Sequence, residues 1–305
     1  MSDKITITLP DKREIEVLKG VSLYDITGQI GKGLQKSALA AEVNGVLSDL
    51  SAAVEADSDI NIITFDSDKG RDIYWHSTSH LMAQAVKRLY HDAKFAIGPS
   101  IDNGFYYDID MEKSLSPEDL AAIEAEMEKI VEEKLEIKRE EISKAEAIDY
   151  FSKIGEVYKV ELLDGFPDDR VTLYRQGEFA DLCRGPHVMN TEKLKSFKLL
   201  SIAGAYWRGD EKNKMLQRIY GISFTEKKEL AKHLEFLEEV KKRDHRKLGK
   251  ELDLFSTHED AGGGLVYWHP DGSRLRVNIE EWWRREHYKN GYEILYTPHI
   301  GRAQL

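Results

Sequence analysis

The chain has 305 residues, 41% of them hydrophobic and 32% charged, with a formal net charge of -11 at pH 7. That length is too great for one typical domain and predicts several modules, each with its own core. No apolar run approaches the ~20 residues that span a bilayer, which argues against a helical membrane protein. The opening MSDKITITLP lacks the basic start and apolar stretch of a secretory leader, and the lone Cys183 forms no internal disulfide, so a reducing cytoplasm is the expected setting. The negative charge opposes nonspecific binding of nucleic acid over the whole surface, so any RNA contact must be local. Lys241, Lys242, Arg243, Arg246, Lys247 and Lys250 are the candidate cluster, although cations at a helix end also offset its negative pole.

Residues 4–9 and 13–18 alternate as half-buried strands around Pro10-Asp11-Lys12, which predicts a hairpin. Ser22 then caps a short helix. Ala40 to Val43 and Val46 to Leu47 flank Asn44-Gly45, a pair that tolerates positive φ at both central positions of a type I′ turn, and the strand INIITF ends near Phe65. Hairpin, helix and further strands over residues 1–65 resemble a β-grasp fold of the ubiquitin and TGS kind.

The charged segment Asp66–Arg71 reads as a linker, followed by a helix from His76 to Tyr90 with Leu81, Ala85, Val86 and Leu89 at helical spacing. Ser116-Pro117-Glu118-Asp119 opens a second helix to about Leu135, and Ser143 with Glu146 forms a capping box for a short one to about Ile154. Strands are expected between Tyr158 and Phe224, in YKVEL, RVTLY, EFADL, SIAGAYW and LQRIYGISF, which makes 66–224 an α+β domain. From Thr225 a connector helix runs to about residue 248, with Leu230, Leu234, Leu237 and Val240 along one side.

Four residues carry a chemical pattern. His76 and His80 are one helical turn apart, so their rings project from one face. Cys183 and His187 stand four apart in DLCRGPHV, where Gly185-Pro186 forces a tight loop. Three imidazoles and a thiolate suit tetrahedral zinc, which makes a metal site the first chemical reading and a metal-free hydrolytic pocket the second.

Together with the β-grasp start, the segments HSTSHLMAQAV, IGPSIDNGFYYDID, DLCRGPHV, AGAYWRGDEKNKMLQRIYG and KRDHRKLGKELDLF resemble the editing domain and connector of bacterial threonyl-tRNA synthetases, in the same order. The resemblance implies a proofreading function on tRNA(Thr): hydrolysis of the serine ester of mischarged Ser-tRNA(Thr). It implies a pocket of His76, His80, Cys183 and His187, with Lys159 and Asp181 as polar groups in it and Tyr107 near the bound adenosine or seryl group. Lys159 and His76 are expected to matter most, by ordering water and ribose hydroxyls; taken without the resemblance, Lys159 reads as a strand-edge lysine facing water. Zinc at this pocket is possible, as in alanyl-type editing proteins that share the HxxxH and CxxxH pair. The other alternative is a tRNA-binding module without catalysis.

The last segment, residues 249–305, reads as a helix from about Ser273 to Lys289, stopped by Asn290-Gly291, and a strand ending at Pro298. It resembles motif 1 of class II synthetases, a homodimer interface in that family. Gly262-Gly263-Gly264 lacks the Lys-Ser/Thr of a phosphate loop and reads as a turn. The sequence ends at Leu305 before anything similar to the family's ATP-holding motifs 2 and 3, its catalytic-domain zinc ligands or its anticodon-binding domain. Ligation of threonine with ATP and Mg is therefore expected only of a longer chain.

Overall fold

A computed structural model describes residues 4–258, 260, 262 and 264–297, and it divides into two compact units, Met1–Ala231 and Lys232–Leu305. The first unit begins with β1 (Lys4–Thr8), β2 (Glu14–Leu18), β3 (Val21–Ser22), α1 (Leu23–Ile30), α2 (Lys32–Ser37), β4 (Ala38–Val43), β5 (Val46–Ser48), β6 (Ala53–Val54) and β7 (Ser58–Thr64). The sheet order is β2-β1-β7-β4-β5, with β1 parallel to β7 and the other pairs antiparallel, a β-grasp arrangement. Alternation in KITIT puts Ile5 and Ile7 inward, onto Leu23 and Ile26 of α1. Ser22 caps α1 as expected, and Asn44 and Gly45 both have positive φ.

No linker separates this sheet from the next helix. Ser67 accepts from the Gly70 N–H and caps α3 (Asp68–Leu89), and Gly70 lies so close to the Thr64 carbonyl that a Cβ there would clash. The charged run at 66–71 is thus mostly the first turn of a helix, with its charges facing outward.

The rest of the first unit comprises β8 (Lys94–Phe95), β9 (Ser100–Ile101), β10 (Gly104–Asp110), α4 (Pro117–Glu133), β11 (Ile137–Ser143), α5 (Lys144–Lys153), α6 (Val157–Asp164), β12 (Arg170–Gln176), β13 (Phe179–Leu182), β14 (Ser196–Tyr206) and β15 (Met215–Phe224). One antiparallel sheet runs β14-β15-β10-β8, and a second runs β11-β12-β13. The α3 helix packs on β10 and β15 and against α4, and its buried side chains join a core with Phe105, Tyr107, Ile123 and Ile219. YKVEL is helical, contrary to the strand expected there. The apolar side chains of α6 serve two cores, Val160 and Leu163 against Phe151 and Leu173, and Tyr158 and Leu162 against Trp207 and Leu216. Burial on both sides hides the one-sided stripe of a surface helix.

The expected continuous connector breaks: α7 (Lys227–Lys242) ends before Asp244, whose side chain caps α8 (His245–Glu251). Five of the six cations in the basic cluster have a nearby carboxylate, Lys241 with Glu238, Lys242 and Arg243 with Glu239, Arg246 with Asp244, and Lys247 with Glu251. That pairing weakens the cluster as an RNA patch.

Within the second unit, β16 (Phe255–Thr257) and β17 (Val266–Trp268) form a hairpin, followed by α9 (Pro270–Lys289). Pro270 starts α9 one turn earlier than Ser273, as proline at a first helical turn does. Gly262 and Gly264 have positive φ in the hairpin connection, and Gly263 lies outside the described residues. Tyr292–Thr297 form no strand, contrary to expectation, and Pro298 is outside the described residues. No helix among the described residues is long and apolar enough to cross a membrane.

Candidate functional site

The helix α3 carries His76 and His80 inward because nearly every residue from Ile73 to Val86 is buried. Three consecutive hydroxyls make that possible at low cost. Ser77 donates to the Ile73 carbonyl at 2.7 Å, Thr78 to the Tyr74 carbonyl at 2.8 Å, and Ser79 to the Gly98 carbonyl at 2.7 Å, so no hydroxyl is left unpaired.

The other arm follows β13. Tyr174 lies opposite Asp181 across the hairpin, and the Cys183 N–H still donates to Thr172 at 3.1 Å before the chain turns away. Gly185 has φ +65° and precedes a cis bond to Pro186, and its N–H reaches Cys183 Sγ at 3.1 Å. A Cβ at Gly185 would fall inside the Tyr174 hydroxyl. Gly185→Ala is therefore expected to destabilise the fold by about 1–3 kcal/mol through overpacking and positive-φ strain. Urea unfolding checks this, and an unchanged midpoint would contradict it.

Hydrogen bonds fix two tautomers. His76 Nδ1 faces the Gly98 carbonyl at 2.9 Å, so Nδ1 carries the proton and Nε2 the lone pair. His187 Nδ1 faces Ser77 Oγ at 3.0 Å; because Ser77 spends its one proton on Ile73, Nδ1 of His187 is also the donor. Both Nε2 lone pairs then point at Cys183 Sγ, at 2.8 Å from His76 and 3.2 Å from His187. One S–H can satisfy only one of them.

Burial lowers the pKa of His76, and pushes those of His80 and His187 well below the usual imidazole value. All three are neutral near pH 7. Burial also pushes the Cys183 thiol up to about 12. Cys183 is thus a proton donor to an imidazole and not a resting thiolate nucleophile. Its alkylation by iodoacetamide should be slow at pH 7.5 and still rising about tenfold per pH unit at pH 9.5; a plateau near pH 8.5, as for a free thiol, would contradict this assignment.

Behind the histidines lies a fully buried charged group. Lys159 is 3% exposed and Asp181 1%. Glu156, which accepts from the Phe95 N–H at 2.8 Å, ties the start of α6 to β8, and this places Lys159 under Ala96. Lys159 Nζ donates to the Ala96 carbonyl at 2.9 Å and to Tyr107 Oη at 2.9 Å, and lies 2.5 Å from Asp181 Oδ1. All three ammonium hydrogens are used. Asp181 also accepts from the Tyr107 hydroxyl and from the Leu182 N–H at 2.8 Å, while His80 Nε2 lies 3.3 Å from Oδ2. Lys159 is consequently no strand-edge lysine facing water: it sits on a helix, inside the protein. Tyr107 is fully buried on β10, and its ring packs so closely on Gly98 that no Cβ fits there.

A cleft of about 310 Å³ opens at His76, walled also by Leu47, Lys69, Asp72, Ile73, Pro99, Ser100, Gly185 and Pro186. Of the six expected pocket residues, His76 is the one on its wall. The structure brings all six, and Tyr107, into one connected cluster, and adds Ser77, Gly98, Asp49 and Tyr174, which reading the sequence missed. The run Ser77-Thr78-Ser79 inside an otherwise apolar helix was the available clue, since buried hydroxyls imply polar company.

The donor set fits zinc in chemistry: one atom from each of His76, His80, Cys183 and His187 lies within 4.8 Å of the others. Tetrahedral zinc would separate sulfur and nitrogen ligands by about 3.6 Å, so the observed 2.8 and 3.2 Å are hydrogen-bond spacings that a metal would widen.

Comparison with known proteins agrees with the geometry. Residues 5–64 match the TGS domain, and residues 171–220 match the Threonyl and Alanyl tRNA synthetase second additional domain. The threonine–tRNA ligase of Pelobacter propionicus is 52% identical over 301 residues, 99% of this chain and 47% of the relative. That of Clostridium tetani is 52% identical over 302 residues, and that of Caldanaerobacter subterraneus 50% over 302, each again covering 99% of this chain and 47% of the relative. The chain spans about half the length of the curated relatives it matches. With both domain types present in order and half of all positions identical across nearly its whole length, the chain is similar throughout to the N-terminal portion of threonine–tRNA ligases.

Proposed function

We propose that this chain hydrolyses the serine ester of mischarged Ser-tRNA(Thr). The observation that supports it most is the place of His76, a neutral imidazole whose lone pair meets a thiol at the wall of an open cleft, backed by a buried Lys159–Asp181 pair. Selecting threonine over serine by one methyl is worth only ~1–3 kcal/mol, so a synthetase needs a second sieve that admits serine and excludes the larger side chain by clash. Ligation of threonine is the activity for which the relatives are named, and we assign to this half of such an enzyme the proofreading step.

In this reading a water at the cleft wall attacks the ester carbonyl and passes a proton to His76 Nε2. The Gly98 carbonyl, accepting from Nδ1, stabilises the imidazolium that forms. As the bond from the carbonyl carbon to the ribose oxygen breaks, the imidazolium returns the proton to that oxygen, giving free serine and uncharged tRNA. For His76 Nε2 to accept that proton its lone pair must be free, so in this reading the single Cys183 S–H turns to His187 Nε2. Lys159, with no hydrogen left for water, orients Asp181 and through it His80 and Tyr107; we assign it a positioning role. Tyr107 acts from behind the site, its ring packed against Gly98, whose carbonyl holds His76 Nδ1.

Zinc, if bound, would be held by His76, His80, Cys183 and His187 and would supply Lewis-acid polarisation. The close convergence of these donors favours that as a second reading, of the alanyl-type kind. Metal analysis of purified chain decides it: one tightly held zinc per chain supports the second reading, and full activity after chelation removes it. The setting we infer is cytoplasmic and homodimeric in the complete enzyme, with Leu275, Ile279, Trp282 and Trp283 exposed on α9 as candidate dimer contacts. The function is tested by incubating the chain with Ser-tRNA(Thr): serine release above buffer is expected, and none at high chain concentration would contradict it.

A further inference from the structure

The β-grasp domain sends one carboxylate into the neighbouring site. Asp49 follows β5, and among the described residues its two oxygens bond outside their own domain. Oδ1 accepts from the His187 N–H at 2.9 Å and Oδ2 from the Tyr174 hydroxyl at 2.7 Å, groups 138 and 125 positions further along the chain. His187 ends the loop that carries Cys183, and Tyr174 lies beside that loop on β12. His187 supplies an imidazole facing the thiol, and the Tyr174 ring lies 4.4 Å from the His187 ring and directly beneath Gly185. Leu47, from the same hairpin as Asp49, stands on the cleft wall with Pro186.

Beyond Cys183, whose backbone is still held by Thr172, Gly185 and Pro186 leave no regular backbone pairing up to His187. The position of His187 Nε2 relative to Cys183 then depends on two holds, Asp49 at the His187 N–H and Ser77 at the His187 ring and the Val188 N–H. A carboxylate accepting two hydrogen bonds is a rigid bracket for it, because the two oxygens are fixed relative to each other. An error of a few tenths of an ångström there would pull one imidazole away from the sulfur.

We propose that Asp49 is a positioning residue of the hydrolytic site, and that the β-grasp domain thereby completes the site in its neighbour. This rests on the hydrolytic reading above for its activity arm. It makes a distinction that simple adhesion between domains would not: an asparagine at this position keeps both bonds, with Oδ1 accepting from His187 and the amide donating to Tyr174 Oη, whereas alanine keeps neither.

The test uses the whole chain and two readouts, single-turnover release of serine from Ser-tRNA(Thr) and alkylation of the lone Cys183 by iodoacetamide. Asp49→Ala is expected to lower the maximal release rate at least about tenfold with little change in the chain concentration giving half-maximal rate, and to speed alkylation about tenfold. Asp49→Asn should stay within about threefold of wild type on both. Asp57→Ala serves as control, because among the described residues Asp57 accepts only from the Thr6 N–H within the β-grasp sheet, and both readouts should match wild type. If Asp49→Ala does not fold, Tyr174→Phe removes one of the two bonds and takes its place, with the same directions expected. Wild-type values for Asp49→Ala on both readouts would overturn the proposal, as would Asp49→Asn failing as badly as alanine, which would make charge and not position the cause. Should wild type release no serine, the hydrolytic reading fails, and alkylation alone decides whether Asp49 holds the loop.

Discussion

Replacing His76 by alanine is expected to lower the rate of serine release by about 10²- to 10⁴-fold, the usual span for loss of a general base. The fold should survive, since His76 is only half-buried and its partners are the Gly98 carbonyl and the Cys183 sulfur. The pH profile carries the same claim. Burial holds His76 below its ordinary 6.5, so the neutral, proton-accepting form persists on the acid side of that value. After subtraction of buffer hydrolysis, the rate should be flat from about pH 7 to 9 and fall only below about 6.5. A rate that climbs through pH 8 to 9 would instead indicate a thiolate nucleophile. An alanine variant within threefold of wild type would remove His76 from the mechanism.

Replacing Lys159 by methionine should have the largest effect on stability. Its partner Asp181 is 1% exposed, and removing one member of a buried ion pair costs about 3–5 kcal/mol because the other charge is left without compensation. Tyr107 and the Leu182 N–H remain as donors, so the cost belongs at the lower end. The check is urea unfolding of Lys159→Met against the double variant Lys159→Met, Asp181→Asn. The double variant should regain most of the loss, since no buried charge then lacks a partner. A single variant within about 1 kcal/mol of wild type would contradict a buried pair.

Parts of this fold can be read directly from residue order. The β-grasp strands alternate, Asn44-Gly45 marks its own turn, and the pairs His76/His80 and Cys183/His187 announce one another by spacing. What could not be read has physical causes. Helix α6 is apolar on two sides because it seals two cores, so its sequence shows no one-sided period and the run around Lys159 reads as a strand. The strand β11 is charged on both faces, being paired on one side only with β12, and showed no alternation. The start of α3 looked like a linker because its first turn is solvated. The bonds that set the site are long-range: Ser77 reads as a helix hydroxyl until His187 is seen beside it, and Asp49 has no local signature. Side-chain type named the chemistry; tautomer and proton inventory needed the fold.

The rates at which this chain releases amino acid from Ser-tRNA(Thr) and from Thr-tRNA(Thr) under the same conditions test the serine-sized pocket most directly. A pocket that excludes the extra methyl by clash predicts release from the serine ester roughly 10²-fold faster or more, abolished in His76→Ala. Equal rates on the two esters, or no release from either, would contradict it.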